Sequence, residues 1–351
     1  MKKRYILLCL TVVLLLSLTA CGEDTPQEKT KFSAHSFDFF DTVTTITGYE
    51  ENKETFDSVA AEIQQQLKEY HQLYNIYLRY DGISNLCTIN ELTDGVHPVV
   101  KVDARILDML DFAREMCWKT NGLTNVAMGS VLKLWHDHRT IGMDDPASAT
   151  LPPMDQLREA AQHTDIDRMV IDREAGTVTL TDPQMRLDVG AIAKGYAVEQ
   201  VSRWLEQQGK TGYVLNVGGN VRAIGTKPDG TKWQVGIENP QDTSADHIAI
   251  LELSNQALVT SGSYQRYYLV NGKRYHHIIH PDTLMPAEGL LSVSVVCPDS
   301  GLGDALSTAL FCMTATEGKA LVETLEGVEA LWVDQNGNRI TSSGWNQYLK
   351  K

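Results

Sequence analysis

Basic charge is scarce in this chain, which has 31 lysines and arginines against 45 aspartates and glutamates and a formal net charge of −14. A nucleic-acid-binding surface needs clustered positive charge to meet phosphates, so this balance argues against a nucleic-acid partner. It also argues against adhesion to anionic lipid through a basic patch. Any attachment to a membrane must therefore come from another part of the chain.

Closely spaced cysteine pairs are also missing, although the chain has six cysteines. No pair has the C-x-x-C spacing of a zinc or redox site, and no H-E-x-x-H, Walker A or G-x-G-x-x-G segment is present. Four cysteines are predicted to be thiols in the mature domain, mostly in apolar patterns: Cys87, Cys117, Cys297 and Cys312. The sequence does not decide whether two of these four cysteines form a disulfide.

Only one long hydrophobic run is present, and it lies at the N-terminus, where Met1-Lys2-Lys3-Arg4 precedes the apolar stretch 6–18. This run is too short to span a bilayer comfortably. Leu18-Thr19-Ala20-Cys21 follows and resembles a bacterial lipobox, in which the cysteine is lipidated; the alternative is an ordinary secretory signal with an incidental cysteine. We expect a signal peptide over 1–20, a lipidated Cys21 with a flexible tether over 21–35, and a folded domain over 36–348. The expected location is the extracytoplasmic face of the cell membrane.

Hydrophobic periodicity predicts three helices in the mature chain. The first carries an inward-facing stripe of residues at helical spacing: Phe56, Val59, Ala60, Ile63, Leu67, Tyr70, Tyr74 and Tyr77. The second is predicted from an Asp103 cap to Asn121-Gly122, and the third from Ala191 to Gln208.

Strand-like runs joined by short turns predict mainly antiparallel pairing. Asn271-Gly272 is a strong hairpin signal, and 168–181 also has the pattern of a hairpin. The other predicted strands are Tyr213–Val217, Trp233–Ile237, Ile248–Leu253, Tyr267–Val270, Tyr275–Ile279 and Ser292–Val296. The predicted fold class is therefore α+β, with two intimately joined lobes of mainly antiparallel sheet and packed helices.

A carboxylate and a hydroxyl lie four residues apart in the helix-like segment 303–310, at Asp304 and Thr308. At this spacing both side chains lie on one helix face, and their oxygens can meet a hard cation such as Mg²⁺. The alternative is structural, because an Asp in a first helical turn suits the helix dipole and a Thr can bond back to the preceding turn.

Three further clusters have the composition of a ligand site. In 187–197, Gly190, Ala191 and Lys194 favour a phosphate at a helix start, although a tight turn with a surface lysine is the alternative. Gly218-Gly219 follows a predicted strand. Its backbone amides could face a ligand, or the two glycines could only form a structural turn. Ser261-Gly262-Ser263-Tyr264 is followed by three histidines, His276, His277 and His280. A histidine acting as base is favoured over zinc because His276 and His277 should face opposite sides of a strand.

Together these segments resemble the FAD:protein FMN transferase family, the ApbE-type flavin transferases, from about residue 40 to 314. The matching segments follow the family's order: Tyr80 to Asn90, Thr120-Asn121-Gly122, Leu134-Trp135, Asp188 to Ala197, Asn216 to Asn220, Ser261 to Tyr264, His276 to Ile279 and Asp304 to Thr308.

The resemblance implies an ApbE-like domain that binds FAD and transfers its FMN moiety, with Mg²⁺, to a Thr or Ser hydroxyl of an extracytoplasmic acceptor protein, releasing AMP. It implies metal ligands at Ala191, Asp304 and Thr308, with Asp304 and His277 as catalytic residues. The implied FAD contacts are Tyr80, Gly122, Leu123, Thr124, Lys194, Gly218, Gly219, Ser261 and His277. FAD hydrolysis to FMN and AMP, or FAD binding without chemistry, are the alternatives.

The chain departs from the family's pattern in three segments. Phe40-Asp41-Thr42 replaces Met-Gly-Thr, and 122–125 reads Gly-Leu-Thr-Asn in place of Gly-Ala-Phe-Asp. The segment 280–286 lacks the usual Asp and Gly, the latter position being Leu284. We expect the metal segment to function and the flavin-ring contacts to differ.

Overall fold

The computed structural model describes residues 28–351, so the predicted signal peptide and Cys21 lie outside the described residues. Strand β1 (Thr30–Phe39) pairs antiparallel with β2 (Thr42–Glu50), beginning with Thr30 opposite Glu50. The tether predicted over 21–35 is therefore wrong for residues 30–35, which belong to an edge strand. Polar residues alternate with partly buried ones along β1, and this is the pattern of a strand with one covered face.

The α+β prediction is confirmed. Eight strands form one sheet in the order β1-β2-β6-β7-β10-β13-β14-β15, and every ladder between the named strands is antiparallel. Three smaller sheets are β3-β5-β4, β8-β9 and β11-β12. The remaining strands are β3 (Val100–Lys101), β4 (Met169–Asp172), β5 (Thr177–Leu180), β6 (Tyr213–Val217), β7 (Asn220–Ile224), β8 (Trp233–Ile237), β9 (Ala249–Leu253), β10 (Gln256–Gly262), β11 (Tyr267–Val270), β12 (Lys273–His276), β13 (Leu290–Cys297), β14 (Glu329–Asp334) and β15 (Arg339–Thr341).

The described residues form these α-helices: α1 (Lys53–Tyr74), α2 (Leu86–Ile89), α3 (Ala104–Lys119), α4 (Gly129–Asp144), α5 (Met154–Ala160), α6 (Ala193–Gln207), α7 (Ser300–Phe311) and α8 (Ala315–Val322). The predicted cap is confirmed, since the Asp103 side chain accepts from Arg105 N at 2.9 Å. Two predicted bounds are wrong. Helix α1 ends at Tyr74, before Tyr77, and α6 begins at Ala193 rather than Ala191.

The large sheet is covered on both faces, because successive side chains of a strand point to opposite sides. Val293 and Val295 of β13 belong to the core with α7 and α8, whereas Val296 belongs to the core with β8 and β9. Helices α1, α3 and α6 share a third core with β2 and β6. Helix α7, which carries Asp304, therefore lies directly on the sheet.

The two hairpin predictions are confirmed by β4-β5 and by β11-β12, whose turn contains Asn271. Strand β12 ends at His276, so the strand predicted over 275–279 is wrong beyond that residue. Cys117, Cys297 and Cys312 are buried, Cys87 is half-buried, and all four are free thiols. Among residues 28–351 no helix is both long enough and apolar enough to cross a membrane.

Candidate active site

A cavity of about 730 Å³ lies between the large sheet, the start of α6, the middle of α7 and helix α4. This volume falls in the range of small-molecule and cofactor sites. Most of the residues predicted from sequence line it, namely Leu123, Thr124, Ala191, Lys194, Gly218, Gly219, Ser261, His277, Asp304 and Thr308. Segments far apart in the chain are thus brought to one place.

Tyr80 and Gly122, which were predicted to contact the ligand, do not line the cavity. The Tyr80 hydroxyl lies 3.3 Å from His71 Nε2 and accepts from Asn75 Nδ2 at 3.2 Å. Gly122 has φ of +82° just beyond α3, where it serves the turn. Tyr77 lines the cavity instead, because α1 ends three residues before it and frees its ring from the helix stripe.

Asp304 is a buried carboxylate, 4% exposed, that faces the cavity. Its Oδ2 accepts from Gly195 N at 2.8 Å and lies 3.6 Å from Lys194 Nζ. Burial raises the pKa of Asp304, against the lowering effect of Lys194. A buried anion with one amine at ion-pair distance is electrostatically suited to receive a cation.

The dipole of its own helix does not explain Asp304, although its carboxylate does accept from the first turn of α6 at Gly195 N. Asp304 is the fifth residue of α7, beyond the first turn, and the capping role belongs to Asp299, whose side chain accepts from Leu302 N at 2.8 Å. Within the first turn a carboxylate is stabilised by the helix dipole, but this effect falls off beyond it.

The residues around Asp304 fit a hard cation. Asn220 is 1% exposed, its side chain hydrogen-bonds to Asp304, and its Oδ1 has no hydrogen-bond partner within the described chain. Because a carboxylate accepts hydrogen bonds, the Asn220 Nδ2 donor faces Asp304, which leaves Oδ1 as a buried acceptor without a partner. Ala191 and Thr308 line the same wall. Carboxylate, amide, hydroxyl and carbonyl oxygens are the ligands that Mg²⁺ uses.

Residues 28–351 contain no group of three or more His, Cys, Asp or Glu side chains that could hold a metal ion, so a cation at Asp304 would depend on amide, hydroxyl and carbonyl oxygens for its other ligands. The histidines that raised the zinc alternative separate in space. His277 lines the cavity, whereas His276 is buried away from it, with Nε2 2.8 Å from the Ala287 carbonyl oxygen.

Glycine at position 195 permits the close approach of α6 and α7. A Cβ atom there would lie 2.2 Å from the Ser300 carbonyl oxygen and 2.5 Å from Asp304 Cβ. Gly218 and Gly219 have φ of +55° and +90°, a region that favours glycine, at the turn between β6 and β7. The turn places their backbone beside the cavity.

The two adjacent histidines differ in their free ring nitrogens. His277 Nδ1 lies 3.2 Å from the Arg266 carbonyl oxygen, so Nδ1 carries the proton and Nε2 is left as an acceptor. Burial, with Arg266 and Arg139 nearby, lowers the pKa of His277 to about 3. His276 has both nitrogens engaged, because its Nδ1 accepts from Ile278 N.

Sequence reasoning missed a polar group on the cavity wall near His277. Asp188 Oδ1 accepts from Gly190 N at 2.9 Å, and burial raises the pKa of this carboxyl. Arg139 donates to His136 Nδ1 at 3.1 Å, and the His136 ring stacks on Tyr77 with centroids 4.8 Å apart. The helical pattern of α4 was a usable signal, because His136 directly follows the noted Trp135 and Arg139 lies about one helical turn after it.

Comparisons with known proteins agree with this geometry. A model of the ApbE family matches residues 40–332. The FAD:protein FMN transferase of Klebsiella pneumoniae is 31% identical over 292 residues, covering 82% of this chain and 85% of that protein. The protein of the same name from Treponema pallidum is 34% identical over 255 residues, 68% of each chain. The crystal structure of the ApbE protein of Thermotoga maritima gives a TM-score of 0.80 at 27% identity, covering 92% of this chain and all of that one. The chain belongs to the ApbE family.

Proposed function

We propose that the protein is an FAD:protein FMN transferase that depends on Mg²⁺. It transfers the FMN moiety of FAD to a Thr or Ser hydroxyl of an extracytoplasmic protein and releases AMP. The observation that carries the proposal is the convergence of Asp304, Lys194 and the unpartnered Asn220 Oδ1 on one wall of a cavity of cofactor size. The names of the similar proteins support the same reaction.

The reaction breaks the bond between the two phosphates of FAD. The acceptor hydroxyl oxygen attacks the phosphorus on the FMN side, a phosphoester bond forms, and AMP leaves with the electron pair of the broken bond. Asp304, Thr308 and the Ala191 carbonyl would hold Mg²⁺. When bound, the ion would neutralise part of the pyrophosphate charge. Lys194, 23% exposed in its side chain, would add a second positive charge on the same wall.

His277 is the residue proposed to take the proton from the acceptor hydroxyl. Its Nε2 is unprotonated because Nδ1 donates to the Arg266 carbonyl, and the low pKa of His277 keeps the ring neutral at physiological pH. A pKa of about 3 makes the ring a weak base in the ligand-free cavity, and the negative pyrophosphate of bound FAD would raise this pKa toward the physiological range. His276 is unsuited to this role because both of its nitrogens are engaged.

The test incubates the mature domain with FAD, Mg²⁺ and a protein or peptide acceptor that contains a threonine. Mass spectrometry should find FMN attached to that threonine and AMP in solution. Free FMN without a modified acceptor would identify an FAD pyrophosphatase instead. Unchanged FAD would identify a binding protein without chemistry. Omission of Mg²⁺ is the matched control.

We also propose that Cys21 anchors the protein by a lipid to the extracytoplasmic face of the cell membrane. The support is the lipobox-like sequence at 18–21 together with the position of β1, which begins at Thr30. Even fully extended, residues 22–29 reach no more than about 30 Å. The active site would therefore work close to the membrane surface.

A further inference from the structure

A buried ion pair lies behind the metal-facing wall of the cavity. Glu199 of α6 and Arg222 of β7 are 3% and 4% exposed, and Arg222 Nε donates to Glu199 Oε2 at 3.1 Å. The same Oε2 accepts from Ser300 N at 2.9 Å. Ser300 is the first residue of α7, so one carboxylate joins two helices and a strand.

Glu199, Ser300 and Arg222 each lie on the same face of their helix or strand as Asp304 or a residue that contacts it. Glu199 is four residues after Gly195, whose N–H donates to Asp304. Ser300 is four residues before Asp304, and Arg222 is two residues after Asn220. Residues at i and i+4 share a helix face, and those at i and i+2 share a strand face. A shift at the ion pair would therefore be passed to every group that contacts Asp304.

A buried ion pair such as Glu199–Arg222 is expected to add little to the free energy of folding, so stability alone does not explain its presence. Burying two charges costs free energy that their attraction only roughly recovers, and apolar residues of similar volume often serve as well. Each of the other two guanidinium nitrogens nevertheless has an acceptor, the Ala223 carbonyl oxygen at 2.6 Å and Glu206 Oε1 at 3.3 Å. Three bonds from one planar group fix the orientation of the side chains.

We propose that Glu199 and Arg222 are positioning residues for the metal site. They hold α6, β7 and α7 in the register at which Asn220 and Asp304 face a single cation and Lys194 lies beside them. This inference rests on the proposed Mg²⁺-dependent function. The pair itself touches neither the cavity nor the substrate, and it acts through the elements that carry the site.

Glu199→Gln tests the pair, with Glu206→Gln as the matched control. Both changes remove a carboxylate of α6 that contacts Arg222, but only Glu199 also contacts the start of α7. FAD binding to the full mature domain is titrated calorimetrically at a series of Mg²⁺ concentrations without acceptor. The Mg²⁺ concentration that gives half of its full effect on FAD affinity should rise about tenfold or more in Glu199→Gln, as for other groups that orient metal ligands. In Glu206→Gln it should stay within about twofold of the value for the unaltered protein.

Arg222→Lys is the second variant, because a lysine keeps the charge but cannot hold three acceptors in a planar fork. It should show the same rise in Mg²⁺ requirement even if Glu199→Gln fails to fold. An unchanged Mg²⁺ requirement in a folded Glu199→Gln or Arg222→Lys would overturn the inference, as would an equal rise in Glu206→Gln. If FAD binding to the unaltered protein does not depend on Mg²⁺, the proposed metal site itself fails.

Discussion

At the scale of single residues, His276 and His277 are adjacent in sequence and differ in what their ring nitrogens can do. His276 joins β12 to the Ala287 carbonyl and to Ile278 N, so its ring is part of the scaffold. His277 keeps one nitrogen free on the cavity wall. The family resemblance implied His277 as the catalytic histidine, and the hydrogen bonds show that His277, unlike His276, has a free acceptor nitrogen.

His277→Gln should lower the rate of FMN transfer by about 10²- to 10⁴-fold, the usual contribution of a positioned general base. The affinity for FAD should change by only a few-fold, because glutamine keeps a polar side chain on the wall. Transfer kinetics measured beside FAD titration separate the two effects. Near-normal transfer in His277→Gln would remove this residue from the proton step.

Leu284 has φ of +60°, at the position where the family's pattern has glycine. It is also 6% exposed in the core with Trp135, whose Nε1 donates to the Leu284 carbonyl at 2.9 Å. A left-handed backbone costs a non-glycine residue about 1–2 kcal/mol, whereas removing a buried Leu side chain costs about 2–5 kcal/mol. Burial therefore outweighs strain at this position.

We accordingly expect Leu284→Gly to lower the free energy of unfolding by about 1–3 kcal/mol, the difference between these two contributions. A thermal melt should give a lower Tm than that of the unaltered protein. A higher Tm would mean that relief of backbone strain exceeds the lost packing.

At the scale of elements, the turn before α6 and the middle of α7 build the metal-facing wall. The helices can meet there because Gly195 has no side chain. By helix propensity alone, Gly→Ala inside a helix stabilises by about 1 kcal/mol. The steric contacts at 2.2 and 2.5 Å reverse this expectation, because the Ser300 backbone cannot yield without moving α7.

Gly195→Ala should therefore destabilise the fold and separate Lys194 from Asp304. We expect a loss of more than about 1 kcal/mol in the free energy of unfolding, as for other overpacked interiors, and a weaker response of FAD binding to Mg²⁺. Chemical denaturation and FAD titration measure the two effects. A variant as stable as the parent, with the same Mg²⁺ response, would contradict the packing argument.

Some elements were predictable from sequence because their signals are local. The Asp103 cap and the Asn271-Gly272 turn each depend on a few neighbouring residues. Strand β1 was missed because its alternation of polar and apolar residues is weak in so polar a segment, and pairing with β2 decides its structure. Tyr80 was preferred to Tyr77 for the same reason, since the end of α1 decides which ring reaches the cavity.

The candidate site was more predictable than the fold around it. Its residues lie in short segments whose composition restricts them to turns and helix starts, such as 188–195 and 216–220. Asp188 and Asn220 were included in those segments but were given no role. Their roles depend on burial and on unpaired atoms, which are properties of the folded chain.

At the scale of the whole molecule, an acidic domain would be held near the membrane by the proposed lipid at Cys21. Cys21→Ser should move the protein from the membrane fraction to the soluble fraction without changing its melting curve. The physical reason is that a lipid chain supplies the energy of membrane binding. Fractionation that still finds the variant on the membrane would contradict the proposed anchor.

The role of Asp304 in holding Mg²⁺ is tested by comparing Mg²⁺-dependent FMN transfer by the unaltered protein and by Asp304→Asn. Asparagine keeps the size of the side chain but removes the negative charge that holds a hard cation. Because burial raises the pKa of Asp304, its ionised form costs stability at neutral pH, so the variant should not melt at a markedly lower temperature. We expect Asp304→Asn to fold and to lose its transfer activity at all Mg²⁺ concentrations tested. A folded Asp304→Asn variant with full Mg²⁺-dependent transfer would contradict this role.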